Sequence, residues 1–207
     1  MGVALWLCPK YESSVHETLT SLHSGLSLLF PGSPRFEPHI TITSQLNCNT
    51  KDEVRMILGT SLAALKGLSL NVVFNSLNIK EKNSFFKKIY IGVEREQTLT
   101  SLALLIREMF VEKDDESSTA QEKAKEWALQ QFEPHLSLVY TDLPHFDLAT
   151  QRTIVTRVED YLNLGNIEVN ADDEVMKELG WTNGSLKVVR CEGPIEQWEV
   201  LGAIDIH

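Results

Sequence analysis

Two histidines of this chain stand in nearly the same local setting. His39 lies in FEPHITITS, residues 36–44, and His135 in FEPHLSLVY, residues 132–140, so each follows Phe-Glu-Pro and precedes an apolar and then a hydroxyl residue. On a β-strand residues i and i+2 share a face, which sets Thr41 beside His39 and Ser137 beside His135. Ile40, Ile42, Leu136 and Leu138 take the other face and can anchor it to a core. An imidazole with a pKa near ~6.5 has both protonation states accessible at neutral pH. Two of them on opposite sides of one reacting centre can take a proton and give one. The hydroxyls would hold non-bridging oxygens of a tetrahedral anion between them, and phosphate fits that geometry.

A lone His-x-Thr carries little weight, because a single histidine on a strand is more often a hydrogen-bonded surface residue than a catalyst. The second copy changes the balance, since a core has no need of the same polar pair twice. Pro38 and Pro134 hold the preceding glutamates extended and withhold an amide donor, as expected of strands that begin at the histidines. Metal binding is the rival use of these side chains. Two histidines and two hydroxyls are poor ligands for zinc, and neither CxxC nor HExxH occurs, so no metal and no cofactor is expected; Glu37 and Glu133 are read as orienting or solvating the histidine face.

No GxGxxG, GxxxxGK[ST] or GxSxG motif is present. His16, His23, His145 and His207 lack the strand context and are expected at the surface or the core edge. Cys8, Cys48 and Cys191 show no activating pattern and are expected as buried, inert thiols. Trp181 and Phe86 offer π faces on which a base can stack, but an aromatic near a strand usually belongs to the core, and neither is included in the predicted site.

The elements that must carry the two motifs follow from periodicity. Residues 3–8 read as a buried strand. A helix over 14–30 follows, with Val15, Leu19, Leu22, Leu26 and Leu29 on one face and a capping box from Ser14 to Glu17. The segment 39–46 alternates as a strand. The next helix opens at Thr50, with Glu53 three residues on; Val54, Ile57, Leu58, Leu62 and Leu65 point inward, and Gly67 ends it. Residues 68–77 and 84–93 read as an antiparallel pair around the polar turn at 78–83. A helix over 98–110 leads into a polar surface excursion, 111–127, with some helix after Ser118. After the second motif come a helix over 147–163, a stretch at 165–184 that is hard to assign, and two closing strands. Helices between strands allow parallel pairing, but hairpin-like endings in both halves favour an α+β protein with antiparallel sheets.

The 207 residues, 43% hydrophobic and 23% charged, suffice for a real core and exclude a disordered chain. A net charge of -10 makes broad association with nucleic-acid backbone or anionic membrane unfavourable, while a small phosphate site needs only a few local donors. The apolar N-terminal run is too short to span a membrane, lacks the basic flank of a signal peptide and misses the myristoylation pattern. With three cysteines, an odd count, the expected setting is intracellular and reducing, most simply the cytoplasm; secretory-pathway association such as the Golgi stays open.

At residues 39–41 and 135–137 the sequence resembles the 2H phosphoesterase superfamily, named for paired His-apolar-[Ser/Thr] motifs. Within it the likeness is to the fungal and plant cyclic phosphodiesterases, carried also by VALWLCP, FFKKIYIGV and GPIEQWEVLGAIDI, so that it covers nearly the whole chain. The resemblance implies a single bilobal domain over 1–207, its two pseudo-symmetric lobes each an antiparallel sheet with outer helices around a central cleft. The approximate sequence halves are 1–97 and 98–207, with strands free to exchange between lobes. It implies metal-independent hydrolysis of nucleoside 2′,3′-cyclic phosphates to 2′-phosphates and of ADP-ribose 1″,2″-cyclic phosphate, a by-product of tRNA splicing. His39 and His135 match the catalytic histidines, Thr41 and Ser137 the phosphate-binding hydroxyls, and Tyr140 a phosphate-contacting tyrosine. The expected partner is thus a small cyclic-phosphate nucleotide, handled by a monomer. Ser44 stands where the second copy has Tyr140, so the two halves are not chemically equal. Two alternatives stand beside this reading: an RNA-end or nucleotide-binding module without turnover, and a 2′,5′-RNA ligase-like phosphodiesterase acting on longer RNA, which would want a basic groove.

Overall fold

The first apolar run becomes strand β1 (Gly2–Cys8), and its alternation divides the molecule. Val3, Leu5 and Leu7 enter the main core, whereas Ala4, Trp6 and Cys8 belong to a small separate cluster with Val189, Cys191 and Trp198. Strands with period two must send neighbours to opposite faces. Helices cover the first face, and the second carries the cleft described below.

The computed structural model describes residues 2–80, 84–112 and 117–207. The remaining elements among them are α1 (Ser14–Ser27), β2 (Ile40–Leu46), α2 (Lys51–Ala64), β3 (Asn71–Ile79), β4 (Ile89–Val93), α3 (Gln97–Phe110), α4 (Ser117–Gln130), β5 (His135–Val139), α5 (Leu148–Leu162), β6 (Gly180–Thr182), β7 (Gly184–Cys191) and β8 (Glu199–Ile206). The fold is α+β, with one eight-stranded sheet in the order β6-β3-β4-β5-β2-β1-β7-β8. Every strand pairing is antiparallel. Each half of the sheet therefore draws strands from both halves of the sequence. The join falls between the two motif strands, where β2 and β5 share a single register pair, Ile40 opposite Leu136.

Local chemistry explains most element ends. Thr50 and Glu53 form the expected reciprocal capping box of α2. Asp147 caps α5 by accepting from the Thr150 amide, and Asn163 ends it in the left-handed region. At α1 the cap is one residue earlier than expected: Ser13 is extended and its hydroxyl accepts from the His16 amide, so no Ser14–Glu17 box forms. The first motif strand begins at Ile40 rather than at His39. Phe85–Lys87 forms a 3-10 turn before β4 instead of part of the strand. The stretch that resisted assignment holds a second 3-10 turn, Met176–Glu178, and the short edge strand β6. Part of the expected 78–83 turn, residues 81–83, and part of the polar excursion, residues 113–116, lie outside the described residues; the helix after them begins at Ser117.

Of the inward helix positions, Leu62 of α2 is instead 39% exposed, while Leu19, Leu22, Leu26, Ile57 and Leu58 are buried, and Ile154 and Val158 of α5 are buried as well. Each such aliphatic side chain contributes roughly 1.5–3 kcal/mol of transfer free energy. Helices α1 and α5 pack on each other, and α1 also packs on β5. Gly25 permits the close α1–α5 approach, since a Cβ there would meet the Tyr161 ring at 2.8 Å. Helices α2 and α3 pack together, α2 against β7 and β8 and α3 against β2. Both motif strands are thus backed by helices on one face and open on the other.

Candidate active site

Each motif strand is preceded by a segment without regular structure, and the two segments are built alike. The His39 Nδ1–H donates to the carbonyl of Glu37, and the His135 Nδ1–H to the carbonyl of Glu133, both at 2.7 Å. A carbonyl only accepts, so Nδ1 must carry the proton in each ring. Every neutral imidazole then holds its free lone pair on Nε2, the atom a general acid or base would use.

The five predicted site residues converge. His39, Thr41, His135, Ser137 and Tyr140 line one cleft of about 230 Å³, together with Ser44, Ala4, Trp6, Phe86, Lys87, Cys191 and Trp198. Simple alternation would place Ser44 and Tyr140 on the far side from Thr41 and Ser137. Two bulges reverse this. Trp6 pairs with Thr41 and Leu5 with Thr43, so Ile42 is the extra residue in β2. Tyr90 pairs with Ser137 and Ile89 with Val139, so Leu138 is the extra residue in β5. A bulge shifts the alternation by one residue. Two successive residues, Ile42–Thr43 and Leu138–Val139, are consequently buried, and the next one reaches the cleft.

Aromatic partners follow the same register. Trp6, opposite Thr41, stacks on His39 with centroids 3.6 Å apart and planes at 10°. Tyr90, opposite Ser137, meets His135 edge to face at 5.3 Å. Burial lowers both imidazoles, His39 to about 3 and His135 to about 4, with the Glu37 and Glu133 carbonyls opposing the shift; His23, His135 and Lys187 lower His39 further, and Lys87 lowers His135. Both rings are therefore neutral near pH 7.

The hydroxyls differ. Ser137 Oγ donates to the Phe86 carbonyl at 2.8 Å, and the Ser137 side chain opposes the rise in the pKa of the neighbouring Tyr140 phenol. Thr41 has no such protein acceptor among the described residues. Tyr140 lies flat on Phe36, centroids 3.9 Å apart, and burial raises its phenol above the usual range. Neither motif glutamate faces the cleft as a free carboxylate: Glu37 pairs with Lys187 at 2.5 Å and Glu133 with Lys87. No group of three or more His, Cys, Asp or Glu side chains among the described residues is disposed to hold a metal ion.

Other expectations divide. Phe86 is on the cleft, but Trp181 packs edge to face on Phe74 in β3 and is absent from it. All three cysteines are buried; burial raises the Cys8 thiol and pushes Cys191, which lines the cleft, up to about 11. His145 and His207 are exposed and His16 is half-buried. His23 is a correction: it is buried beneath the first motif, its Nδ1 3.4 Å from the Phe36 carbonyl and its ring against the Phe36 ring, because α1 packs on β5 beside that segment. Sequence reading also missed Trp6 and Trp198. The only local signal for Trp6 was its place among the apolar residues of the first strand, and Trp198 had none.

Two imidazoles held alike through Nδ1 thus line one cleft with hydroxyls over an antiparallel sheet. The family model described as cyclic phosphodiesterase-like protein matches residues 1–206, and the chain belongs to that family. Among similar proteins are three named 2′,3′-cyclic-nucleotide 3′-phosphodiesterase. That of Yarrowia lipolytica is 37% identical over 99% of this chain and all of its own length. That of Saccharomyces cerevisiae is 35% identical with both chains fully covered, and that of Debaryomyces hansenii 38% identical over 90% of this chain and all of its own. Among the described residues no helix is long and apolar enough to cross a membrane.

Proposed function

We propose that this chain hydrolyses nucleoside 2′,3′-cyclic phosphates to 2′-phosphates, and ADP-ribose 1″,2″-cyclic phosphate, a by-product of tRNA splicing, by acid–base catalysis from His39 and His135. The observation that carries the reading is the matched pair of imidazoles, each held by its Nδ1–H, which leaves Nε2 for proton transfer, and both lining the same cleft. One neutral imidazole takes a proton from water as its oxygen attacks phosphorus in line. The other, protonated, gives its proton to the ribose oxygen as the P–O bond breaks. Each transfer is worth roughly 10²- to 10⁴-fold in rate.

The second proton enters with the substrate. Both rings are neutral near pH 7, and a phosphodiester anion lodged between them favours the charged form of one. Thr41 and Ser137 hold non-bridging oxygens, Ser137 by turning its hydroxyl away from the Phe86 carbonyl, and Tyr140 follows it as a further donor. Phe86 and Trp198, 6.1 Å apart with planes at 30°, form an aromatic rim that suits a nucleobase. The indole N–H of Trp198 has no acceptor among the described residues and is a donor waiting for one. A cleft of this size takes a nucleotide rather than a length of RNA, in keeping with the net charge of -10. A monomer working in the reducing, intracellular setting completes the reading, and the three buried cysteines, with the Cys8 and Cys191 thiols undissociated, are compatible with it.

The test is turnover. His39→Ala and His135→Ala are each expected to fold and to lose at least about 10²-fold in kcat on a 2′,3′-cyclic nucleotide. Wild-type-like turnover by either variant sinks the proposal, as does binding of the cyclic nucleotide by the wild-type protein without release of a 2′-phosphate.

A further inference from the structure

The doubled motif is longer than acid–base chemistry requires: each copy includes a glutamate two residues before its histidine, and both glutamates are in ion pairs. The two pairs look equivalent, but their settings differ. The segment before His135 is tied to the sheet through its backbone, because the Val93 amide of β4 donates to the Pro134 carbonyl at 3.1 Å. The Glu133 carboxylate is 73% exposed, and its bond to Lys87 adds little to that anchorage.

The segment before His39 lacks such an anchor. Among the described residues, no main-chain to main-chain hydrogen bond runs from residues 34–38 to another element. Its ties are through side chains: the Phe36 ring stacked on Tyr140, the long His23 contact to the Phe36 carbonyl, and the Glu37–Lys187 ion pair at 2.5 Å, whose members are only 26% and 19% exposed and which alone among these acts at Glu37 itself. Lys187 stands in the middle of β7, paired in register with Trp6 on one side and Ala203 on the other, so its backbone is held between two neighbouring strands. Trp6 in turn carries the His39 ring. One residue, Glu37, therefore takes hold of the sheet through its carboxylate and of the imidazole through its carbonyl.

We propose that Glu37 and Lys187 form a positioning pair for His39, fixing the carbonyl that selects the ring's tautomer and aim, while the matching Glu133–Lys87 pair has no such duty toward His135. The proposal rests on His39 being one of the two proton-transfer groups. Its physical basis is that a hydrogen-bond acceptor directs a ring only if the acceptor itself is held, and the two segments are held by different means. The groups acting on His39 besides this carbonyl are His23, His135 and Lys187, and Lys187 opposes its protonation.

The experiment compares Lys187→Met, Lys187→Arg, Glu37→Gln and Glu133→Gln by steady-state kinetics over pH and by nitrogen NMR of the histidine rings. In Lys187→Met and Glu37→Gln, kcat is expected to fall by about tenfold or more with KM changed less than about threefold. The His39 ring is expected to pass from the single Nδ1–H tautomer to a mixture, with His135 unchanged. In Lys187→Met the pH limb belonging to His39 moves upward, because an opposing positive charge has gone. Lys187→Arg is expected to restore kcat, and Glu133→Gln to stay within about threefold of wild type. Retention of kcat and of the single His39 tautomer in both Lys187→Met and Glu37→Gln overturns the proposal, as does an equal loss in Glu133→Gln. The NMR readout does not depend on turnover, so a wrong assignment of His39 as catalytic shows as altered tautomers with unaltered kcat.

Discussion

The imidazole of His39 lies flat on the indole of Trp6, with 3.6 Å between centroids and 10° between planes. A ring stacked at that distance is fixed in orientation, and the negative face of the indole favours the imidazolium over the neutral form. A desolvated contact of this kind is worth up to ~2 kcal/mol, roughly thirtyfold in rate if it operates in the transition state. Trp6→Leu is expected to lower kcat/KM by about tenfold or more, with Trp6→Phe keeping most of the activity; steady-state kinetics within twofold of wild type for Trp6→Leu would refute this.

Binding of a phosphate product should draw a proton from solution. His39 and His135 are neutral when the cleft is empty, and an anion between them raises the affinity of one for a proton. The complex therefore holds more protons than its separate parts, and affinity for a 2′-nucleotide weakens as pH rises from about 6 to 8. Calorimetry in buffers of different ionisation heat measures the uptake directly. Binding heats that are the same in every buffer would exclude it.

The same depression governs stability. His23, at about 4, His39 and His135 all have folded-state pKa values below the unfolded ~6.5, so between those limits the unfolded chain binds more protons. Stability is full above the unfolded value and falls as pH drops through it. Between pH 6.5 and 5.5 each histidine withdraws about 1 kcal/mol, before carboxylates such as Glu133 begin to matter. Urea midpoints at pH 7.5, 6.5 and 5.5 are expected to decline in step, and a flat profile would contradict the burial of these rings.

Thr43 is buried with no hydrogen-bond partner for its hydroxyl among the described residues, whereas the second motif places Val139 at the matching position. Leaving a hydroxyl unpaired costs about 1–3 kcal/mol, and valine has nearly the same shape. Thr43→Val is expected to raise the denaturation midpoint by the equivalent of about 1 kcal/mol without changing kcat. A lower midpoint would mean that the hydroxyl has a partner after all.

The proposed acid–base pair was legible because it rests on short-range rules. The i, i+2 relation of His39 with Thr41 and of His135 with Ser137 is a property of any strand, and repetition made chance an inadequate reading. The start of α2 at Thr50 was equally plain, since cap and amide lie three residues apart. The failures were of two kinds. Ser13 displaced Ser14 as a cap because either serine satisfies the local pattern and only the backbone path chooses. Trp181 was considered as a stacking residue and Trp198 was not, because an aromatic's own neighbours in sequence do not tell which side of a sheet it meets.

The amino-acid sequence by itself determined the α+β alternation of elements and the two matched sets of imidazole and hydroxyl, because periodicity and motif spacing act within a few residues. Tertiary structure alone decided that the two motif strands meet at Ile40 and Leu136, and that the bulges at Ile42 and Leu138 turn Ser44 and Tyr140 into the cleft. It also decided that Lys187 crosses 150 residues of sequence to reach Glu37. Those contacts depend on strand order, and strand order is settled by which apolar faces bury one another across the whole chain, a sum that no local pattern contains.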